Sequence, residues 1–181
     1  MIQRVLIDSD VVLDVATGRQ PFMGESKPVL AHMEERHALG LVSAHSITTM
    51  YYILRKLGGS EKALEFLTDL LTIISVATEG HNEIVQALDS GFSDFEDAVQ
   101  YQCARANGCG AIITRNTDDY RNTRIPVYTP REYLALYASR ESKAKVEGPQ
   151  RALAATGGYD PKSLRIPSID RSSSTSGQCS P

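Results

Sequence analysis

Three short acid-rich clusters carry the side chains best suited to chemistry. They are Asp8, Asp10 and Asp14; Asp94, Glu96 and Asp97 within Ser93-Asp94-Phe95-Glu96-Asp97; and Asp118 and Asp119 within Thr114-Arg115-Asn116-Thr117-Asp118-Asp119-Tyr120. Carboxylates and an amide carbonyl are hard oxygen donors. If the clusters converge they make a cage for Mg²⁺ or Mn²⁺, ions that take carboxylate, carbonyl and water ligands. Each cluster also has a local reading. Asp8 or Ser9 can cap a following helix, Ser93 with Glu96 fits a capping box, and Asn116, Asp118 and Asp119 suit a turn. The capping box accounts for Glu96 but not for the pair Asp94 and Asp97. These lie three residues apart on one helix face and repel unless a cation neutralises them. Asp14, two turns beyond Asp8, reads as a solvated face residue.

Other chemistries find little support. His32, His37, His45 and His81 lack the spacing of a His-Glu-x-x-His or similar ligand set, and they read as surface or core residues. Neither Gly-x-Ser-x-Gly nor a P-loop lysine motif occurs, which leaves serine-hydrolase and nucleotide-hydrolysing readings empty. Cys103, Cys109 and Cys179 are an odd number without a Cys-x-x-Cys pair. That suits reduced thiols rather than a disulfide framework or a zinc site.

The elements that must position the acids alternate strand-like and helix-like patterns, the mark of an α/β layer around a mostly parallel sheet. Strands are predicted over residues 4–8, 40–43, 74–77, 111–114 and 126–128. Ile47, Met50, Tyr51, Leu54 and Leu57 recur at helical spacing, as do Ala63, Phe66, Leu67, Leu70 and Leu71, with Gly58-Gly59 as the break between them and Ser60 as N-cap of the second. A third helix is predicted over 94–106, with Phe95, Val99 and Cys103 as its apolar stripe. A last one starts at Thr129-Pro130 and passes through Leu134 and Tyr137. Asp8 then closes the first strand, at the end of a parallel sheet where ligands bind.

Composition sets the frame. The chain has 181 residues, 41% of them hydrophobic and 23% charged, ordinary values for a globular domain with a core. No apolar run approaches the ~20 residues of a membrane span, and no signal-peptide pattern opens the chain, so a cytoplasmic protein without membrane contact is predicted. Residues 1–138 hold 12 Lys and Arg against 18 Asp and Glu, and residues 139–181 hold 7 against 4. An acidic body of 1–138 is a poor general binder of polyanions, so any nucleic-acid contact must be local, metal-assisted or helped by the basic end. From about residue 140 the chain is rich in Gly, Ser, Ala and Pro without period, and 139–181 is predicted to be a disordered basic tail.

Four stretches together resemble the PIN domain: Val5-Leu6-Ile7-Asp8-Ser9-Asp10-Val11-Val12-Leu13-Asp14, Tyr51-Tyr52-Ile53-Leu54-Arg55-Lys56, Asp94-Phe95-Glu96-Asp97-Ala98-Val99-Gln100-Tyr101, and Ile113 through Tyr120. The nearest branch is that of bacterial VapC-type toxins of toxin–antitoxin modules, and the resemblance covers residues 1–137. It implies a three-layer sandwich whose central, mostly parallel sheet of four to five strands is flanked by helices. It implies a metal-dependent endoribonuclease that hydrolyses phosphodiester bonds of single-stranded RNA, usually a homodimer, with an antitoxin protein as partner. The matching catalytic positions are Asp8, Asp94, Asp97 and Asn116, and the matching Mg²⁺ or Mn²⁺ ligands are Asp8, Asp94, Asp97 and Asp118. Arg55, Lys56 and Arg115 are candidates for flanking phosphates, or else plain exposed charges. One position departs: the acid that usually precedes the Tyr51–Lys56 run aligns with Thr49. With one carboxylate fewer, a single well-held ion is expected. Two alternatives stay open, a catalytically weak RNA-binding or regulatory protein of the same fold, and a haloacid dehalogenase-type phosphohydrolase. The second rests on Asp8-Ser9-Asp10-Val11 as an Asp-x-Asp nucleophile motif but lacks a catalytic lysine, since none follows Lys62 in the body.

Overall fold

Val5, Leu6 and Ile7 are completely buried in β1 (Arg4–Ile7), as a strand covered on both faces requires. The computed structural model describes residues 3–121, 123–146 and 169. β1 pairs in parallel with β2 (Leu39–Val42) on one side and with β4 (Ala111–Ile113) on the other. β3 (Ser75–Val76) and β5 (Val127–Tyr128) extend the sheet at its two edges, also in parallel. The order is β3-β2-β1-β4-β5. In register, Val5 faces Gly40 and Ala111, and Ile7 faces Ile113. Gly40 is dictated by space: a Cβ there would sit 2.6 Å from Ile74 Cγ2 and 3.0 Å from Met33 Cγ.

Among the described residues seven helices cover the faces: α1 (Ser9–Ala16), α2 (Met23–Glu34), α3 (Ala44–Gly58), α4 (Ser60–Ile73), α5 (His81–Leu88), α6 (Phe95–Ala106) and α7 (Pro130–Val146). Successive side chains of a strand point to opposite faces, so the core divides in two. Val5 and Ile7 pack with Val12, Leu30, Met50, Leu54, Phe66 and Leu70 from α1 to α4. Leu6 and Ile112 pack with Tyr101, Cys103 and Ala104 of α6 and with Tyr120. The result is the expected three-layer α/β sandwich, with all five strands parallel.

The stripes predicted for α3, α4, α6 and α7 are present, with two corrections. Leu71 is 43% exposed and Phe95 is 48% exposed, because each stands at the margin of its helix's buried face. α2 and α5 have no counterpart among the predicted elements. Pro28 stands inside α2 and masks in the sequence a helix that buries Val29, Leu30 and Met33, and α5 buries only Ala87. α7 runs through Val146, past the domain edge placed at 138. Ile169 is buried in the core cluster of α1 to α4, where a solvated terminus was expected. The rest of the predicted tail, Cys179 included, lies outside the described residues. Cys103 and Cys109 are free buried thiols, as expected, and burial pushes both up, to about 12 and about 11. Among the described residues no helix is long and apolar enough to cross a membrane.

Candidate active site

The chain winds outward from β1 to β2 and β3, then crosses back to add β4 and β5 on the opposite side. β1 and β4 therefore flank the point where the winding reverses, and the crevice beyond their carboxyl ends is where ligands bind in such sheets. Asp8 is the first residue after β1 and Thr114 the first after β4. The Asp8 amide donates to the Ile113 carbonyl at 2.9 Å, so the two strand ends are stitched together at that point.

Asp8 does two jobs. Its Oδ1 accepts from the Asp10 amide at 3.3 Å, capping α1, and from Ser9 Oγ at 3.2 Å. The same oxygen accepts from Gln100 Nε2 of α6 at 3.3 Å, and Oδ2 accepts from Thr114 Oγ1 at 2.7 Å. A carboxylate that is 7% exposed and held by donors from three elements is positioned as well as capping.

The capping box predicted from Ser93 does not form. Asp94 is the N-cap of α6, and its Oδ1 accepts from the Glu96 and Asp97 amides at 2.7 and 3.3 Å. One turn inward, Asp97 Oδ1 accepts from the buried Tyr120 hydroxyl at 3.0 Å. Burial pushes the Asp97 carboxyl up to about 7, and the negative charges of Asp8, Asp94 and Asp119 push the same way against the Tyr120 bond. Asp97 thus feels acids from all three sequence clusters. In the third cluster, residues Thr117–Tyr120 wind as a single 3-10 turn. With three residues per turn, neighbours point about 120° apart, and adjacent acids separate. Asp118 turns to solvent and pairs with Arg121 at 3.1 Å, both side chains more than 70% exposed. Asp119 is the one whose field reaches Asp97, and its Oδ2 accepts from Asn116 Nδ2. Of the two, Asp119 lies toward Asp97 while Asp118 is exposed and paired with Arg121, a placement that does not favour the ligand role expected of Asp118.

Three further expectations change. Asp14 is not a solvated residue: it is fully buried, with Ser26 Oγ donating to its Oδ2 at 3.0 Å and Arg115 Nη1 3.3 Å from its Oδ1 as an ion pair. Its carboxyl is raised by burial, a shift that Arg115 opposes. Arg115 also pairs with Asp10 and lies 4.6 Å from the centre of the Phe22 ring, so its guanidinium is engaged within the fold rather than offered to a phosphate. Arg55 and Lys56 are exposed near the C-terminal end of α3, about 18 Å along the helix from Ser43 at ~1.5 Å per residue. That is the end of α3 opposite the crevice.

Several residues of the crevice were given no site role from the sequence. Gln100 lies one turn beyond Asp97 on the same helix face, a spacing that could have flagged it. Thr114 and Tyr120 bracket the third cluster. At the rim, His45 Nδ1 meets Glu79 Oε2 at 2.9 Å and its Nε2 lies 3.9 Å from Glu96 Oε1. Burial raises the Glu96 carboxyl, opposed by His45 and reinforced by Asp8, Asp94 and Asp10. No sequence signal joins residues 45, 79 and 96.

Among the described residues, Asp8, Asp94, Asp97 and Asp119 have no cationic side chain paired with them. No three Asp, Glu, His or Cys side chains there are grouped closely enough to hold a metal ion, so the cage expected from the three clusters is not formed. An ion that keeps much of its water, as Mg²⁺ does, needs fewer protein ligands. Asp8, Asp94, Asp97 and Asp119 are the acids the crevice offers it.

An acid-lined crevice at the reversal point of an all-parallel, doubly wound sheet is the place where α/β domains of this kind bind ligands. The chain belongs to the PIN domain family, whose family model matches residues 4–118. Ribonuclease VapC1 of Aquifex aeolicus (strain VF5) is 28% identical over 136 residues, covering 72% of this chain and 93% of that protein. The fold is shared with DNA-bound VapBC from Salmonella typhimurium (TM-score 0.53, 11% identity, 72% of this chain and 99% of that one). It is also shared with FitAB bound to an IR36 DNA fragment (TM-score 0.51, 17% identity, 70% and 94%). Family membership removes the haloacid dehalogenase reading. Asp8 also has its Oδ1 and Oδ2 engaged by neighbouring donors, and Asp10 is paired with Arg115, which does not leave an Asp-x-Asp nucleophile free.

Proposed function

We propose that this protein is an Mg²⁺- or Mn²⁺-dependent endoribonuclease that hydrolyses phosphodiester bonds in single-stranded RNA, and the toxin of a toxin–antitoxin pair. The observation that carries the reading is Asp97, a half-buried carboxyl raised to about 7 beside three other acids, with no cationic side chain to balance them among the described residues. Such an arrangement costs stability unless a cation arrives. The ribonuclease name of the Aquifex aeolicus relative supports the reaction class, and the VapBC assembly of the Salmonella typhimurium neighbour supports an antitoxin chain as partner. Homodimerisation and a cytoplasmic setting complete the proposal.

A bound divalent ion supplies charge neutralisation for the phosphate in the transition state and an acidified water. The protein's own residues prepare the place. Gln100 and Thr114 fix both oxygens of Asp8, the Tyr120 hydroxyl fixes one oxygen of Asp97, and Asn116 holds Asp119. Asp97, poised near neutrality, can hold a proton or release it as the charge beside it changes.

The test is cleavage of a single-stranded oligoribonucleotide by purified protein with Mg²⁺ or Mn²⁺, compared with Asp8→Asn and Asp97→Asn. Activity is expected in the parent and not in either variant. Cleavage unaltered by both substitutions places the activity elsewhere. The alternative, a catalytically weak RNA-binding protein of this fold, is favoured by Thr49 and by the tying of Asp94 Oδ1 to two backbone amides. It predicts RNA binding without cleavage or specific Mn²⁺ uptake.

A further inference from the structure

The gap between the last turn of α1 and the last turn of α3 is filled from far along the chain. Ile169 is 7% exposed and belongs to the apolar cluster of Ala16, Met50 and Leu54. Its backbone N–H donates to the Ala16 carbonyl at 2.5 Å. That carbonyl is in the final turn of α1, where main-chain oxygens lack an intrahelical donor. The other wall is Gly58, where a Cβ would lie 2.4 Å from Ile169 Cγ2. The backbone does not ask for glycine at 58, since the positive φ of this turn, +90°, falls on Gly59. Space does: the slot exists because residue 58 has no side chain and residue 169 is β-branched and stiff. In the sequence Leu164, Ile166 and Ile169 concentrate aliphatic residues in one short stretch, and none of residues 170–181 is aliphatic.

We propose that this cleft is a docking site whose occupant is the chain's own segment centred on Ile169, seated by the Gly58 slot and the Ala16 carbonyl. The site takes a short stretch of backbone with a β-branched aliphatic side chain. It lies at the end of α1 remote from Asp8, about 12 Å along the helix at ~1.5 Å per residue, so its occupant leaves the acidic crevice open. Docking brings residue 169 back against the acidic body. It also covers an apolar cleft that a partner segment of the same chemistry has to win by displacement.

The experiment uses the full-length chain. Hydrogen exchange is expected to show the Ile169 amide protected by at least about tenfold over an unstructured peptide, and trypsin is expected to cut slowly after Arg165 and Arg171. Gly58→Ala fills the slot from the body side and is expected to release the segment, removing the protection and speeding both cuts. Adding Ile169→Ala to Gly58→Ala makes room again and is expected to restore part of both, which a general loss of helix stability would not do. Ile169→Asp alters only the occupant and is expected to release the segment while far-UV circular dichroism of the body stays unchanged. An Ile169 amide that exchanges at the free rate in the parent overturns the proposal, as do cutting rates that neither Gly58→Ala nor Ile169→Asp changes.

Discussion

Two acidic pockets share helix α1. At its start, Asp8 faces Asp94, Asp97 and Asp119, and everything that touches these carboxylates is a neutral donor: Gln100, Thr114, Tyr120, Asn116 and backbone amides. On its next two turns, Asp10 and Asp14 share Arg115, which also lies against Phe22 and so ties β4 to α1 and α2. Both pockets bury carboxylates. In the second the protein supplies the counter-charge, and the acids serve the fold. In the first the described residues supply only neutral hydrogen bonds, which orient charge without cancelling it, and that is the pocket where the proposed cation would act.

The contrast can be broken by substitution. At the open pocket, Asp97→Asn or Asp8→Asn is expected to lower RNA cleavage by about 10³-fold or more, a transition-state effect of ~4 kcal/mol, with the fold intact by circular dichroism. At the closed pocket, Arg115→Ala leaves Asp14 buried and unpaired. Urea unfolding is expected to report a loss of about 3 kcal/mol, most of it recovered when Asp14→Leu is added. If Arg115→Ala instead spares stability and abolishes cleavage, the roles given to the two pockets are reversed.

A change of pH sharpens the same comparison. Asp97 holds its proton up to about 7 in the folded protein but loses it near 4 when unfolded. Over that window the folded state binds more protons, so without metal its contribution to stability is full below about 4 and falls away as pH rises through 7. Discounted for its partial exposure, the loss is about 1–2 kcal/mol. Unfolding midpoints in a chelator between pH 5 and 8 measure it, and Mn²⁺ is expected to restore stability at pH 8. Smallest is the difference within one dipeptide. Asp119→Asn is expected to weaken Mn²⁺ binding several-fold, while Asp118→Asn, in an exposed ion pair, is expected to change binding and stability by less than about 0.5 kcal/mol. Calorimetry on the two variants reads both.

What the sequence made legible follows from how local each signal was. Asp8 sits where an apolar run stops, and Asp97 sits three residues into a patterned helix. Both positions follow from period and capping alone. Asp14 shows the limit: its spacing from Asp8 looked like a solvated face, because the Arg115 that accompanies it comes from another strand about a hundred residues on. Asp118 was chosen over Asp119 with no local signal to rank them, since a helix of three residues per turn and a loose turn share one sequence but aim adjacent side chains differently. α5 was invisible because it buries a single alanine, and α2 because Pro28 reads as a helix breaker although the helix runs through it. His45, Glu79 and Glu96 come together only through tertiary packing.

The seam between β1 and β4 has one more implication. Asp8 is fastened there by its own amide and by the side chains of Gln100 and Thr114, at the end of the central strand of the sheet. Hydrogen exchange should be slowest at that seam, because opening it requires the middle of the sheet to come apart. The crevice is thus among the most rigid parts of the molecule, and an inhibitor, natural or designed, gains little by reshaping it. Silencing this protein is a matter of obstruction, of a plug cut to a fixed opening.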